Sequence, residues 1–450
     1  MISASIFLQF KQHLNHLLIE LMSTTHIQPT RLIVALSGGV DSIVLLHLLS
    51  QLNQENKQYS IVAHHVNHGL SEHANKWTRF CESLCESLGI TLITSKVILD
   101  KKPRVSLEAL ARDARYQSFK QQMLEGDIIL TAHHQDDQLE TLLLALKRGS
   151  GSTGLQGIHQ TQLFHCGFLL RPLLIFSRQQ LVDYALNKEL QWIEDESNRN
   201  IAFDRNFIRQ KISPLLIERW PSIAQSVSRT ALLCQEQQQL LNEIAEQDLL
   251  YCLIKPFTNK ILSIKLLATL SKARRNNVLR HWLKVQKVPY PSYKQLDILW
   301  QQVALAGEDK QPQLTLLSGT IQRFQGALYF VKQQQKLILE EPIIWSGESL
   351  LWLKKDLLAI DCSKMDKCLL QPHQVIFCLR KHLPAGIKCT PKGRHKARSV
   401  KKLLSEYGVP PWLRDEVLFV LIDNQLIEAI GYWRCESKDL PPVPLSLHFV

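Results

Sequence analysis

The stretch LIVALSGGVDS, residues 32–42, sets the fold class of the first part of this chain. An apolar run typical of a buried strand leads into two glycines, and the apolar run IVLLHLLS follows with helical character. Such a turn aims backbone N–H groups at one point, where the helix dipole also favours an anion. Ser37 and Ser42 can add hydroxyl donors. The stretch therefore predicts a phosphate-binding turn, although an ordinary strand–helix turn can also contain two glycines.

An aspartate lies inside this turn, where it would repel a phosphate group. The chain contains no G-K-S or G-K-T, so the lysine of the usual P-loop is absent and another cation must neutralise the phosphates. We therefore predict that Asp41 holds Mg²⁺, and that the metal bridges the carboxylate and the phosphates of ATP. A turn that holds pyrophosphate in this way suits cleavage of ATP between its α and β phosphates.

Strands and helices alternate after the turn. Apolar runs at 59–66, 90–97 and 127–132 are typical of strands, and the segments between them have helical periodicity. Ser106 is the predicted N-cap of the helix before the last of these strands. The spacing predicts βαβ units and thus an α/β fold with a parallel sheet, whose ligands bind beyond the carboxyl ends of the strands.

The alternation stops near residue 215. We predict a catalytic domain at 1–215, a mostly helical middle domain at 216–335 and a small mixed α/β domain at 345–450, with a linker at 332–343. TIQRFQGALYFV, at 320–331, has the pattern of a hairpin.

Composition limits the class of protein. The 450 residues include 45% hydrophobic and 21% charged residues, which is ordinary for a globular chain. No apolar run approaches the roughly 18 residues that would span a bilayer, and the N-terminal apolar patch is too short for a secretory signal, so we expect a cytoplasmic protein without membrane contact. The ten cysteines include no C-x-x-C pair and are expected to be buried or free thiols.

Positive charge is concentrated near the C-terminus. The net charge is +12, and residues 380–402 carry nine Lys or Arg and no acid. Such a run favours contacts with the phosphate backbone of a nucleic acid. A solvated basic loop is the alternative.

Further motifs carry a resemblance to a known family. SGGVDS after a strand resembles the PP-loop motif of the N-type ATP pyrophosphatases. Residues 31–215 as a whole resemble the catalytic domain of the tRNA(Ile)-lysidine synthetases, in the order and wording of HHVNHGL (64–70), EALARDARY (108–116), TAHHQDDQLET (131–141), RGSGSTGL (148–155), RPLL (171–174) and WIEDESNRNIAFDRNFIR (192–209). One departure is Glu196, where the family usually has proline.

The resemblance implies a reaction. ATP adenylates the C2 carbonyl oxygen of the wobble cytidine in a tRNA(Ile) with a CAU anticodon, the ε-amine of free L-lysine attacks C2, and AMP leaves. The modified tRNA accepts isoleucine instead of methionine, and it reads the codon AUA instead of AUG. The expected cofactors are ATP and Mg²⁺, and a homodimer is compatible with the resemblance.

Site residues follow from these motifs as hypotheses. The ATP-binding candidates are Ser37, Gly38, Gly39, Val40, Asp41 and Ser42. The catalytic candidates are Asp41 as the metal ligand, Arg115 for developing charge, and Asp137 and Glu140 for the lysine amine and its proton. Candidates for contacts with lysine or cytidine are Arg112, His134, Arg205, Asn206 and Arg209. For each carboxylate, a solvated helix face or a charge that complements the helix N-terminus is the structural alternative.

The C-terminal part adds candidates for tRNA binding. SVKKLLSEYGVPPWLRD, at 399–415, resembles the C-terminal tRNA-binding domain of the longer family members, and KARRNNVLRHWL, at 272–283, resembles their Arg-rich helix near the anticodon stem. The tRNA-binding candidates are Arg380, Lys392, Arg394, Lys396, Arg398, Lys401, Lys402, Trp412 and Arg414.

Three other functions fit parts of the sequence. A PP-loop tRNA thiolase would need a catalytic cysteine pair or a cluster bound by cysteines, and a GMP synthetase would have no use for the basic C-terminal part. A non-catalytic tRNA-binding protein would not need Asp41 and the acids at 137 and 140. Release of pyrophosphate from ATP that depends on tRNA and Mg²⁺ separates these alternatives.

Overall fold

The structure is a computed structural model of the chain. It describes residues 2–25, 27–29, 31–56, 58–69, 71–99, 107–254, 261–289, 291–307, 312–332, 339–354, 358–362, 374–436 and 446–449. The chain divides into two compact units, Met1–Leu241 and Asn242–Val450. The predicted N-cap Ser106 and half of the predicted linker, 333–338, lie outside the described residues.

Unit 1 contains a six-stranded sheet in the order β3-β2-β1-β4-β6-β5. Five strands are parallel, and β5 pairs with β6 in the antiparallel sense at one edge. The strands are β1 (Arg31–Ala35), β2 (Ser60–Asn67), β3 (Thr91–Lys96), β4 (Ile128–Leu130), β5 (Thr161–Phe164) and β6 (Gly167–Leu170). The predicted α/β fold with a parallel sheet is confirmed, whereas the short β5–β6 pair was missed by the sequence patterns.

Helices lie before, between and after these strands, and the last of them extends beyond the end of unit 1. They are α1 (Ile2–Thr25), α2 (Val40–Asn56), α3 (Ala74–Ser87), α4 (Leu107–Gln122), α5 (Gln135–Lys147), α6 (Ser152–Leu155), α7 (Arg178–Asn187), α8 (Asp204–Phe207), α9 (Ser213–Arg219) and α10 (Ile223–Cys252). The N-terminal apolar patch is part of α1, whose Phe10, Leu14 and Leu18 are buried in the main core. That patch therefore has a structural role in this fold.

The centre of the sheet sets the position of the site. β1 and β4 are parallel neighbours in register, with Leu32 opposite Ile128 and Val34 opposite Leu130. Their carboxyl ends therefore meet at one edge, and the segments that follow them, 36–42 and 131–140, lie side by side. This arrangement brings the phosphate turn next to the acidic start of α5.

Unit 2 combines helices with small antiparallel sheets. The sheet β7-β10-β9-β8 packs with helices around Trp282, which is fully buried, and the end of α10 and a π-helical turn at residues 299–304 contribute to the same core. The elements are β7 (Leu262–Ser263), α11 (Ile264–Thr269), α12 (Lys272–Val285), α13 (Tyr293–Ile298), β8 (Gln313–Leu316), β9 (Gly319–Phe324) and β10 (Ala327–Lys332). β9 and β10 pair as an antiparallel hairpin, which confirms the hairpin expected at 320–331.

The C-terminal part of unit 2 has a five-stranded sheet, β11-β14-β17-β18-β19, a three-stranded sheet, β12-β13-β20, and a two-stranded pair, β15-β16. Its elements are β11 (Ile343–Ile344), β12 (Leu350–Lys354), β13 (Leu358–Asp361), β14 (Val375–Leu379), β15 (Lys388–Cys389), β16 (Arg398–Ser399), α14 (Val400–Glu406), β17 (Leu418–Ile422), β18 (Gln425–Ala429), β19 (Trp433–Arg434) and β20 (Ser446–Phe449). No described helix combines the length and apolar character needed to cross a membrane.

One expectation about the cysteines is wrong. Cys389 and Cys435 form a disulfide, with Cα atoms 5.8 Å apart, whereas all ten cysteines were expected to be buried or free thiols. The pair was missed because the residues are 46 positions apart and meet only through the sheet topology. The other cysteines in the described ranges are unbonded.

Candidate active site

The turn after β1 is closed by its own polar groups. Ser37 Oγ and Ser42 Oγ lie 3.0 Å apart, and Ser42 Oγ donates to the carbonyl of Gly39 at 2.9 Å. Gly38 has φ +87°, and a Cβ there would lie 3.0 Å from Ile193 Cδ1. Glycine is therefore needed at 38 for both backbone conformation and space. The turn has the rigidity expected of a preorganised phosphate site.

Asp41 lies in the first turn of α2, and its side chain is 30% exposed. Its Oδ1 atom is buried and has no hydrogen-bond partner among the described residues. A buried acceptor without a donor is costly, so this oxygen fits a cation. The described residues contain no group of three or more metal-ligand side chains. Mg²⁺ is commonly held by one or two carboxylates together with substrate phosphates, and Asp41 beside the turn matches that ligand set.

His134 lies between Asp41 and the start of α5. Its Nε2 atom is 3.7 Å from Asp41 Oδ2 and 3.4 Å from Asp137 Oδ2, and its Nδ1 atom is 3.6 Å from Asp136 Oδ2. Burial alone would lower the pKa of His134, but the three carboxylates raise it to about 10. The imidazolium thus neutralises the acids and joins the phosphate turn to α5.

Two acids of α5 pair with two arginines from the segment after residue 203. Arg205 Nε donates to Glu140 Oε2 at 2.7 Å, and Arg209 Nε donates to Glu140 Oε1 at 2.6 Å. Both guanidinium groups also donate to Asp137 Oδ1, at 2.9 and 3.1 Å. We call Asp137, Glu140, Arg205 and Arg209 the acid–arginine network.

The acids of the acid–arginine network are buried. Asp137 is 7% exposed and Glu140 is 1% exposed, so the alternative of a solvated helix face is wrong for both. Burial would raise the pKa of Asp137, but the neighbouring histidines and arginines hold it well below its usual range. The network therefore consists of two carboxylates and two guanidinium groups in a largely dry position, with compensating charges.

A local helical irregularity positions the two arginines. Arg205 belongs to the short α8, and residues 208–212 follow as a π-helical turn, an arrangement frequent at functional sites. The side chain of Asn206 points elsewhere and donates to the carbonyl of Asn200 at 2.9 Å. The structure thus brings Arg205 and Arg209 into the site, while Asn206 holds the preceding turn.

The arginines of α4 lie on an exposed surface beside the carboxyl end of β2. Arg115 Nε donates to His68 Nε2 at 3.5 Å, and Arg112 lies over the ring of Tyr116, 4.9 Å from its centroid. Burial and the nearby Arg115 lower the pKa of His68 to about 4, so its imidazole is neutral and can accept. These contacts lie outside the acid–arginine network, and both exposed guanidinium groups can face a substrate.

Two polar residues of the quoted motifs, Arg171 and His133, lie next to these candidates but were not assigned to the site from the sequence. Arg171 is 5% exposed at the end of β6, where it donates to the carbonyl of His159 and to Gln162 Oε1. Burial and the nearby Arg171, Arg205 and Arg112 lower the pKa of His133 to about 3. The available signal was an arginine directly after an apolar run, in RPLL, because strand ends carry the ligands of such sheets.

A cleft lies beside the phosphate turn. Its volume is about 690 Å³, and its lining includes Trp77, Phe80 and Trp192. Ile193, also in the lining, donates its backbone N–H to the carbonyl of Gly38 at 2.8 Å, which ties the cleft wall to the turn. Aromatic walls next to a phosphate site suit a nucleoside. Trp192 and Ile193 begin the motif at 192–209, but that motif did not predict a cleft.

Four of the eight basic candidates of unit 2 lie in one small element. We define the basic ribbon as residues 388–399, the β15–β16 pair with its connecting turn. Lys392, Arg394 and Lys396 are exposed there, and Arg398 is half-buried. Lys401 and Lys402 are exposed on the following α14, whereas Arg380 pairs with Asp415 at 3.3 Å. Arg394, although exposed, forms an ion pair with Glu406 of α14, so the charges of Lys392, Lys396, Lys401 and Lys402 are the ones available to a polyanion.

Trp412 and Arg414 are already in use within unit 2. The Trp412 ring lies 6.0 Å from that of Phe324 and 5.5 Å from that of Tyr329, both in the β9–β10 hairpin. Arg414 Nε donates to the carbonyl of Val409 at 3.0 Å. These contacts give both residues a packing role, and their proposed contact with RNA stays a prediction.

Three family models match separate parts of the chain. A family model described as a PP-loop domain matches residues 8–216, a TilS substrate binding domain matches 262–329, and a TilS substrate C-terminal domain matches 378–442. The tRNA(Ile)-lysidine synthase of Serratia proteamaculans (strain 568) is 40% identical over 426 residues, covering 93% of this chain and 95% of that protein. The protein of the same name from Vibrio atlanticus (strain LGP32) is 39% identical over 448 residues, covering 93% and 96%.

Among solved structures, the U34-tRNA thiolase NcsA from Methanococcus maripaludis, with its [4Fe-4S] cluster, matches with a TM-score of 0.39 at 16% identity. The match covers 46% of this chain and 74% of that chain, and we draw no conclusion from a similarity of that level.

Proposed function

The chain belongs to the tRNA(Ile)-lysidine synthase family, and on this premise we propose how its residues carry out the reaction. It is an ATP-dependent ligase that modifies a tRNA. The reaction forms a carbon–nitrogen bond at C2 of the wobble cytidine in the CAU anticodon of tRNA(Ile), through an adenylated cytidine, and releases AMP and pyrophosphate. We propose free L-lysine as the nucleophile.

Adenylation is the first half of the reaction. We propose that residues 37–42 hold the phosphates of ATP, with hydroxyl donors from Ser37 and Ser42. Mg²⁺ held by Asp41 would neutralise charge on the departing pyrophosphate. The C2 carbonyl oxygen of cytidine attacks the α-phosphorus, and the bond to the β-phosphate oxygen breaks. Arg112 and Arg115 are proposed to stabilise the negative charge that develops on the transferring phosphoryl group.

Ligation is the second half. The ε-amine of lysine attacks C2, the C2–O bond breaks, AMP leaves, and the amine loses protons to the site. We propose that Asp137 and Glu140 hold the ammonium group and that one of them accepts a proton. Arg205 and Arg209 would then turn toward the lysine carboxylate. A zwitterionic ligand offers one positive and one negative group, which matches the two charge types of the acid–arginine network.

The position of His134 is the observation that supports this proposal most strongly. Its two ring nitrogens reach acids on α2 and on α5, so the predicted metal ligand and the predicted lysine site form one connected cluster. An enzyme that first adenylates a carbonyl oxygen and then adds an amine at the carbon bearing that oxygen needs these two parts side by side.

The rest of the chain is assigned to the tRNA. We propose a catalytic domain at 1–215, a middle domain at 216–335 and a C-terminal domain at 345–450, in which the basic ribbon and α14 contact the phosphate backbone. The matched family models and the exposed lysines support this assignment. We also propose that the reaction takes place in the cytoplasm. A homodimer stays a prediction.

Pyrophosphate release tests the adenylating half. Asp41→Asn keeps the size of the side chain and removes its charge, so release that depends on tRNA and Mg²⁺ should fall by at least roughly a hundredfold. Asp113→Asn, on an exposed position of α4, is the matched control and should retain the wild-type rate. Near-wild-type release by Asp41→Asn would refute the metal assignment.

A further inference from the structure

The disulfide of the C-terminal part lies at the base of the basic ribbon. Cys389 is in β15, which begins the ribbon, and Cys435 directly follows β19 at the edge of the five-stranded sheet. The two residues are 7% and 6% exposed. The bond therefore joins the element with the exposed positive charges to the sheet that supports it.

Hydrogen bonds hold the same two segments together without the sulfur bond. Lys392 N–H donates to the carbonyl of Arg434 at 2.8 Å, and Glu436 N–H donates to the carbonyl of Thr390 at 2.7 Å. Gly393 N–H also donates to Glu436 Oε1 at 3.3 Å. The ion pair between Arg394 and Glu406 of α14 adds a further contact. The reduced protein therefore keeps the ribbon in place through a few hydrogen bonds and one exposed ion pair, so the thiols stay close to each other but the ribbon can open locally.

We propose that Cys389 and Cys435 are a reversible oxidation site that fixes the basic ribbon to the C-terminal sheet. Disulfides in reducing compartments are usually transient, and they often act as redox sensors. The chemical class of the oxidant is a low-molecular-weight disulfide such as glutathione disulfide. The effect of this oxidation on tRNA binding rests on the proposed function, in which the ribbon contacts tRNA.

The step is a pair of thiol–disulfide exchanges. The thiolate of one cysteine attacks a sulfur of the small disulfide, which forms a mixed disulfide and releases one small thiolate. The thiolate of the other cysteine attacks the protein sulfur of the mixed disulfide, which closes the Cys389–Cys435 bond and releases the second small thiolate. Two electrons pass from the cysteines to the small disulfide, and the two protons lost by the cysteines end on the two small thiols.

Oxidation should strengthen binding to a polyanion. A cross-link removes the opened conformations of the ribbon, so Lys392, Arg394 and Lys396 stay positioned on the sheet. A ligand that needs these charges together then loses less conformational entropy on binding. Because both sulfur atoms are almost buried, oxidation waits for local opening, and it should be slow relative to a surface thiol.

The experiment uses the full chain. The protein is reduced, freed of reductant, treated with glutathione disulfide, alkylated, and digested without reduction for mass spectrometry. Hydrogen exchange is followed in peptides covering 388–399, and dissociation of a CAU-anticodon tRNA(Ile) transcript is timed for the reduced and oxidised forms. Cys389→Ser and Cys435→Ser each remove the cross-link, and Cys234→Ser, at an unbonded half-buried cysteine, is the matched control.

The expected result is a cross-linked peptide pair that has lost two hydrogen atoms, with ribbon exchange slowed roughly tenfold and tRNA dissociation slowed about threefold. Cys234→Ser should respond like the wild type, and the two other variants should not respond. Absence of the cross-link, or unchanged ribbon exchange in the cross-linked protein, would overturn the proposal.

Unchanged tRNA dissociation in the cross-linked protein would also overturn the coupling. The double variant Lys392→Ala and Lys396→Ala then identifies which idea fails. If this variant weakens tRNA binding, the ribbon binds tRNA and only the redox coupling is wrong. If it binds tRNA normally, the proposed function of the ribbon is wrong as well.

Discussion

Replacing Glu140 by glutamine should destabilise the start of α5 strongly. The carboxylate is 1% exposed and accepts three hydrogen bonds, from Arg205 Nε at 2.7 Å and from Arg209 Nε and Nη2 at 2.6 and 3.0 Å. In Glu140→Gln the charge is lost, and the new NH₂ group faces a guanidinium donor. The acid–arginine network then has an excess of positive charge and an unsatisfied donor in a buried position.

The magnitude follows from the number and environment of these bonds. A hydrogen bond to a charged group contributes about 1.5–3 kcal/mol, and the variant loses at least one completely and weakens the others. Arg205 and Arg209 are 25% and 29% exposed, so water can compensate part of the loss. We therefore expect a loss of about 3 kcal/mol in local stability, which corresponds to a roughly hundredfold change in an opening equilibrium.

Hydrogen exchange in the peptide covering residues 135–147 is the assay, because it reports the opening of α5 without assuming that the two units unfold together. The matched control is Glu55→Gln, because Glu55 also forms an ion pair, with Lys11, but its side chain is 45% exposed. This control should lower local stability by less than about 0.5 kcal/mol. If Glu140→Gln changes exchange no more than this control does, the description of the buried network is wrong.

Three further predictions concern single contacts. Gly38 has φ +87°, and a Cβ added there would lie 3.0 Å from Ile193 Cδ1, so Gly38→Ala should lower the free energy of unfolding by about 1–3 kcal/mol and reduce pyrophosphate release. Gly39 has no positive φ, so Gly39→Ala should leave the free energy of unfolding in denaturant almost unchanged. Burial and the charge of His65 lower the pKa of His64 to about 4, so the unfolded chain binds a proton there that the folded chain does not. The contribution of His64 to stability should fall by up to about 3 kcal/mol as pH drops from 6.5 to 4, and His64→Gln should reduce the slope of stability against pH by that amount, while His68 and His133 keep a slope of the same sign. Trp412→Ala should lower the melting temperature of unit 2, by loss of about 2 kcal/mol of ring contacts, and leave tRNA-independent ATP binding unchanged.

The parts that the sequence predicted well are those encoded locally. The strand, glycine turn and helix around 32–48 follow from neighbouring residues, because an apolar run and a helical period need no distant partner. The short strands β5 and β6 have four residues each, which is too few for a period to stand out. Their pairing depends on the sheet edge that they complete.

The candidate site shows the same distinction. Asp137 and Glu140 could be selected from the QDDQLET segment, but their pairing with Arg205 and Arg209 spans 65 to 72 residues and depends on the π-helical turn at 208–212. The cleft lined by Trp77 and Trp192 joins two segments more than a hundred residues apart. Such contacts have no local signature, and only the fold brings them together.

Formation of lysidine is the most direct test of the proposed reaction. The purified chain is incubated with Mg-ATP, L-lysine and a CAU-anticodon tRNA(Ile) transcript, the tRNA is digested, and the nucleosides are analysed by mass spectrometry. We expect lysidine only when all three substrates are present, and its loss in Asp41→Asn. Release of pyrophosphate with tRNA but no lysidine would contradict the assignment of lysine as the nucleophile.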